Sequence, residues 1–162
     1  MPKSEAEKLE QRAKNVLLYQ LSRSMKTRFQ LSEILKRREI PVEIAEQVLD
    51  RFTEAQLIDD DLFAGAYVRT RLENGRSSSA IKMELRRKGV AQEIIEQHLS
   101  QIDAEVEQSI ANQLATNRFS RMTALEPEVR KRRLMGFLQR RGFSQSVAVR
   151  AISSAAANSI PG

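Results

Sequence analysis

The sequence predicts an all-α protein, an elongated tandem array of three three-helix repeats. Ala, Leu, Glu, Gln, Arg and Lys dominate, and 6 Gly and 4 Pro in 162 residues leave little to punctuate a run of short strands. A second observation is a recurring pattern of apolar residue, basic run, turn and second apolar run. The third is that two copies of this pattern align at a constant displacement of 50 positions. With no Trp and only 6 Phe and 2 Tyr, the core must rest on Leu, Ile, Val, Met and Ala.

The aligned copies are Leu35–Leu49 (LKRREIPVEIAEQVL) and Leu85–Leu99 (LRRKGVAQEIIEQHL). A weaker third copy, Leu138–Ile152 (LQRRGFSQSVAVRAI), is displaced from the second by 53. Leu31/Leu35, Ile81/Leu85 and Leu134/Leu138 are i,i+4 pairs on the buried stripe of the helix before each turn. Gly89 and Gly142 suit the left-handed position that closes such a helix, whereas Glu39 stands at that place in the first copy. The first turn is therefore expected to be made differently. Pro41 suits the start of the next helix, and Ser144 can cap its counterpart. Beyond the turns, Ile44/Val48, Ile94/His98 and Val147/Ala151 keep one face.

Each copy also has a helix ahead of it, marked by Val16, Leu17, Tyr19 and Leu21, by Phe63, Tyr67 and Val68, and by Ile110, Leu114 and Phe119. Polar breaks are expected at Ser22–Thr27, Asn74–Ser79 and Asn117–Glu126. The resulting division is an N-terminal extension at 1–12, repeats at 13–58, 59–104 and 105–153, and a tail at 154–162 with a frayed end from Ser159. A unit of this size buries too little surface to be stable alone, so neighbouring repeats are expected to pack.

The net charge of +6 comes from 27 basic and 21 acidic residues and points to an anionic partner, nucleic acid first. Arg37/Arg38, Arg86/Arg87/Lys88 and Arg140/Arg141 precede the three turns, and Arg130/Lys131/Arg132/Arg133 lies one helix ahead of the last. Bases near a helix C-terminus are also favoured by the helix dipole alone. Their recurrence suggests a track facing phosphates or an acidic protein, with salt-dependent affinity and little sequence preference. Base reading is disfavoured because the helices after the first two turns carry Glu43/Glu46 and Glu93/Glu96, although Arg150 is a partial exception. Aromatic residues are too sparse for an obvious stacking platform.

No catalytic residue, metal site or cofactor is expected. Cysteine is absent, His98 is the single histidine, and no nucleophile elbow or glycine-rich phosphate loop occurs. Asp59-Asp60-Asp61 reads as capping and first-turn charge, or as a contact from an Asp to an Arg of a neighbouring repeat, with Arg69 and Arg71 as candidates. No apolar run has the length of a membrane span, and a cytoplasmic monomer is expected.

The stretch Ile58-Asp59-Asp60-Asp61-Leu62-Phe63-Ala64 with Tyr67-Val68-Arg69-Thr70-Arg71 resembles the central motif of the bacterial RecX family. So does Ile81–Val90, and Arg140-Arg141-Gly142-Phe143-Ser144 is similar to the family's C-terminal repeat. The resemblance implies an elongated, curved tandem array of three three-helix repeats that regulates the RecA recombinase, without a catalytic centre. Such a protein binds within or caps the groove of the recombinase–DNA filament and restrains filament growth, strand exchange, ATP hydrolysis and coprotease activity. It implies repeat or junction roles for Asp59, Asp60, Phe63, Tyr67, Gly89, Gly142 and Phe143. Contacts to filament, or weakly to single- and double-stranded DNA, fall to Arg69, Arg71, Arg86, Arg87, Lys88, Arg140 and Arg141, with Arg37, Arg38, Arg130, Lys131, Arg132 and Arg133 as further bases. The residues alone leave open a weakly selective DNA-binding protein that acts without a recombinase, and a helical protein–protein adaptor.

Overall fold

The computed structural model describes residues 3–158, which are all-α. Three triplets of helices follow in order: α1 (Glu5–Arg23), α2 (Arg28–Arg37) and α3 (Val42–Glu54); α4 (Asp60–Glu73), α5 (Ser78–Arg87) and α6 (Gln92–Leu99); α7 (Ala104–Arg121), α8 (Pro127–Arg140) and α9 (Gln145–Asn158). The expected frayed end at Ser159–Gly162 lies outside the described residues.

Helix starts follow local chemistry. Ser4 Oγ accepts from the Glu7 amide at 3.2 Å, and Glu5 and Glu7 occupy the positive end of the α1 dipole. α1 therefore runs through residues expected to form an N-terminal extension, and Leu9 packs against the first core. At the other end, α9 continues past the expected boundary at 153, with Ala155 buried. α7 extends to Arg121, so the expected break at Asn117–Glu126 is confined to its second half. The reason is Phe119, which is buried and carries the Arg130 guanidinium 4.5 Å from its ring centroid, holding the last turn in place.

The chain divides into two compact units, and the middle repeat is shared between them. One unit holds the chain through Ala66 together with Leu85–Ile95; the other holds Tyr67–Glu84 and the chain from Glu96 onward. In the first, Ala13 and Leu17 of α1, Leu31 and Leu35 of α2, and Ala45, Val48, Leu49 and Phe52 of α3 close one core. In the second, the core of the third repeat joins Ala111, Ala115 and Phe119 to Leu134, Phe137 and Leu138 and to Ala148, Ala151, Ile152 and Ala155. Alanines on both α7 and α9 let these helices approach closely. The leucine pairs before the turns are fully buried, as is the Ile81/Leu85 pair. Truncating any of them to Ala would cost roughly 2–5 kcal/mol.

Beyond the turns Val48 and Ala151 are buried where the sequence pattern places them, but the first member of each pair is not. Ala45, Ile95 and Ala148 are buried while Ile44, Ile94 and Val147 lie at the rim. His98 is half-buried. Tyr19 is a second departure: it is 55% exposed and its hydroxyl accepts from Arg23 at 2.8 Å instead of entering the core.

All three turns use the same left-handed residue, with φ of 61° at Glu39, 79° at Gly89 and 95° at Gly142. The first turn is thus built like the others despite its glutamate. Each is closed by the amide that follows: the Ile40, Val90 and Phe143 amides donate to the carbonyls of Leu35, Leu85 and Leu138 at 3.1 Å each. Glutamate is tolerated at the first turn because Glu39 is exposed. Glycine is required at the others, because a Cβ on Gly89 would lie 2.2 Å from Phe29 Cβ, and one on Gly142 would lie 2.4 Å from Ser77 Oγ.

Glu39→Gly should therefore stabilise the fold by up to about 1 kcal/mol through relief of the left-handed strain. Gly89→Ala should destabilise it by more than about 2 kcal/mol, since strain and collision add. Urea midpoints of the two variants against the parent check this; similar effects at both positions would contradict it.

Candidate functional site: repeat junctions and the arginines around them

Among the described residues, the buried polar side chains are Thr27 and Ser77, both completely inaccessible. They stand at equivalent places, the N-caps of α2 and α5, and each receives the turn of the following repeat. Thr27 closes a capping box: its Oγ1 accepts from the Gln30 amide at 3.1 Å, and Gln30 Oε1 accepts from the Thr27 amide at 3.0 Å. The same hydroxyl donates to the Lys88 carbonyl at 2.6 Å, beside Gly89. At the second site Ser77 Oγ accepts from the Ala80 amide at 3.1 Å, and the Ser77 amide donates to the Arg141 carbonyl at 3.1 Å, beside Gly142.

A carboxylate completes each junction. Asp60 Oδ1 accepts from the Arg28 amide at 2.9 Å. Glu107 accepts twice, from the Ser78 amide at 3.0 Å and the Ser78 hydroxyl at 3.1 Å. First-turn amides have no partner within their own helix and sit at its positive end, so an acidic side chain satisfies both the hydrogen bond and the dipole. The anticipated contact from Asp60 to a neighbouring repeat thus exists, but it reaches the backbone of Arg28 instead of Arg69 or Arg71. Asp59 caps α4 by accepting from the Leu62 amide at 3.0 Å. No group of metal-binding side chains occurs among the described residues.

The predicted basic residues separate into those held inside the fold and those left outside. Arg71 Nε donates to the Tyr67 hydroxyl at 3.1 Å and lies 3.5 Å from Glu84 Oε2; the Tyr67 hydrogen bond, aided by Glu84, raises its pKa against the cost of burial. Arg141 donates to the Asn74 carbonyl and lies 5.0 Å from the Phe137 ring centroid. Burial, with Arg76 and Arg118 nearby, pushes the Arg141 pKa down. Arg130 donates to the Leu125 carbonyl at 3.0 Å, and Lys131 lies 3.7 Å from Glu128. Lys88 is half-buried, with its carbonyl taken by Thr27. Arg37, Arg38, Arg69, Arg86, Arg87, Arg132, Arg133 and Arg140 are exposed. Phe63 and Phe143 are core residues.

Sequence reasoning missed Thr27, Ser77, Glu107 and Arg118. The first was detectable: Thr27 and Gln30 ahead of Leu31 form a capping-box signature. Nothing in the sequence connects Glu107 to Ser78. Arg28 was missed as well: its guanidinium donates to Glu46 at 2.8 Å and Asp50 at 2.7 Å, clamping α2 to α3.

Models of the first, second and third three-helix domains of RecX match residues 13–52, 59–99 and 105–152. The regulatory protein RecX of Thermobifida fusca is 40% identical over 147 residues, covering 90% of this chain and 80% of that one. The chain belongs to the RecX family. The RecX proteins of Streptomyces coelicolor and Mycolicibacterium smegmatis are each 40% identical, over 146 and 154 residues, covering 90% and 92% of this chain and 78% and 82% of theirs. A crystal structure of regulatory protein RecX superposes with a TM-score of 0.76 at 30% identity, covering 91% of this chain and 73% of that one. RecX from Lactobacillus salivarius shares the fold, with a TM-score of 0.78 at 21% identity over 93% of this chain and 98% of that one. These relatives are named as regulatory proteins. Within this family frame, the two junctions are where the second and third RecX domains each grip the domain before.

Glu107→Ala should lower stability by roughly 2 kcal/mol, since two hydrogen bonds to a charged acceptor disappear. Glu107→Gln, which keeps an acceptor oxygen, should forfeit about half of that. Equilibrium urea unfolding at neutral pH reads both; a midpoint unmoved by the alanine variant would contradict the junction role.

Proposed function

We propose that this protein binds a RecA recombinase–DNA filament and restrains it, limiting filament extension, ATP hydrolysis, strand exchange and coprotease activity. It acts as a cytoplasmic monomer. The regulatory naming of its relatives supports the class of activity. The observation that carries the contact surface is an arrangement repeated at the end of each middle helix. Arg37, Arg87 and Arg140 occupy equivalent positions and all three are exposed. The following residue serves the fold in the second and third repeats, where the carbonyls of Lys88 and Arg141 hold the junctions. In the first repeat Arg38 is exposed too. Dipole compensation explains a base at one helix end. A guanidinium with no carboxylate partner among the described residues at all three ends suits recognition of phosphates or acidic side chains on a filament.

A second reading, weakly selective DNA binding without a recombinase, draws on the exposed Arg132 and Arg133 and would show steep salt dependence.

The test is ATP hydrolysis by preformed RecA filaments on single-stranded DNA as the protein is added. Inhibition is expected, and Arg37→Glu, Arg87→Glu and Arg140→Glu combined should raise the half-inhibitory concentration at least about tenfold. No inhibition by the folded protein over a wide concentration range would overturn the proposal.

A further inference from the structure

In the third repeat, the end of α7 and one side of α8 enclose a cleft of about 480 Å³. Four of its lining residues are arginines: Arg118, Arg132, Arg133 and Arg140. No carboxylate lines it, and none of the four has an ion-pair partner among the described residues. Met122, Leu134 and Phe137 supply an apolar floor.

Four like charges around one cleft repel each other, so something must hold them there. Arg118 lies with its guanidinium carbon 3.9 Å from the Phe137 ring centroid, a cation–π contact with a buried ring. Gly136 leaves room for Arg140: a Cβ there would come within 3.1 Å of its Nη1. Glycine inside a helix costs roughly 0.5–1 kcal/mol relative to alanine, so its presence in mid-α8 runs against helix propensity. Space for the Arg140 guanidinium gives it a use. The like-charge field extends beyond the lining, because Arg118 and Arg76 both act on Arg141.

We propose that this cleft is the seat for a single-stranded nucleic-acid backbone, with Arg118 as the cation that completes it. The inference deepens the filament reading, on whose DNA contact it rests, by assigning that contact to a built site. A lone carboxylate would neutralise one of the four charges, whereas successive phosphodiesters bring one charge each along a strand. Guanidinium forks match phosphate oxygens in pairs, and an apolar floor strengthens such contacts by excluding water. Recognition is through phosphates, so the bases are not read.

The test uses the full chain without recombinase and follows the anisotropy of labelled oligothymidine across a salt series. Arg118→Gln with Arg133→Gln should weaken binding at low salt and flatten the log–log salt slope by about 0.7 for each phosphate no longer neutralised. Arg132→Gln with Arg133→Gln, both at exposed positions, gives the same reading should the Arg118 substitution perturb folding. Arg51→Gln, at a side chain that pairs with Glu10 and does not line the cleft, should leave the slope unchanged. An abasic strand of equal length should compete as well as the intact one, while polyglutamate of equal charge and tripolyphosphate should compete poorly. A slope unchanged in the folded cleft variants would overturn the proposal, as would equal competition by polyglutamate or tripolyphosphate, or failure of the abasic strand to compete. Any of these leaves the filament reading standing. A flattened slope together with no effect on RecA ATP hydrolysis would retain the cleft and remove the filament reading.

Discussion

The structure depends on the seating of a glycine turn against the N-terminus of a helix in the repeat before. A three-helix repeat of this size cannot bury enough surface to be stable alone, so contact between repeats has to supply part of the stability. The turn after α5 presses Gly89 onto Phe29 and takes a hydrogen bond from Thr27; the turn after α8 presses Gly142 onto Ser77 and Ala80. A helix N-terminus is an apt socket for this purpose. Its amides need partners, its dipole welcomes a carboxylate, and Asp60 and Glu107 meet both needs.

That constraint also sorts the basic residues. A helix end pressed into a socket commits its last carbonyls to the neighbour, as Lys88 and Arg141 do, while the charge one position earlier stays in solvent. Sequence equivalence between basic runs therefore conceals a difference in role within each run. Arg71 and Arg141 serve the fold through Tyr67, Glu84 and Asn74, and Arg37, Arg87 and Arg140 are left to face a partner. The absence of glycine from the first turn follows from the same logic. Glu39 is exposed, so only the left-handed backbone, and not the space, is demanded of it.

Much of the fold could be read from the residues because its signals are local. The leucine pairs 31/35 and 134/138, the glycine turns and the cap at Ser144 each act within a few positions. What the pattern missed is long-range or a matter of phase. On the helices after the first and third turns Val48 and Ala151 are buried as the pattern has them, but Ala45 and Ala148, small enough to look neutral in sequence, pack inward ahead of Ile44 and Val147. The sockets at Thr27 and Ser77 lie in segments that read as polar breaks, and their partners are tens of residues away. Arg118 could not be placed from sequence either, because its position is defined by a ring on another helix.

Amide hydrogen exchange at Arg28 and Ser78 tests the junctions most directly. These first-turn amides have no acceptor in their own helices, and each is bonded to a carboxylate of the following repeat. They should be protected far more strongly than the first-turn amides of α3, where Pro41 offers no side-chain cap. Equal, rapid exchange at all of these positions would contradict the seating of one repeat on the next.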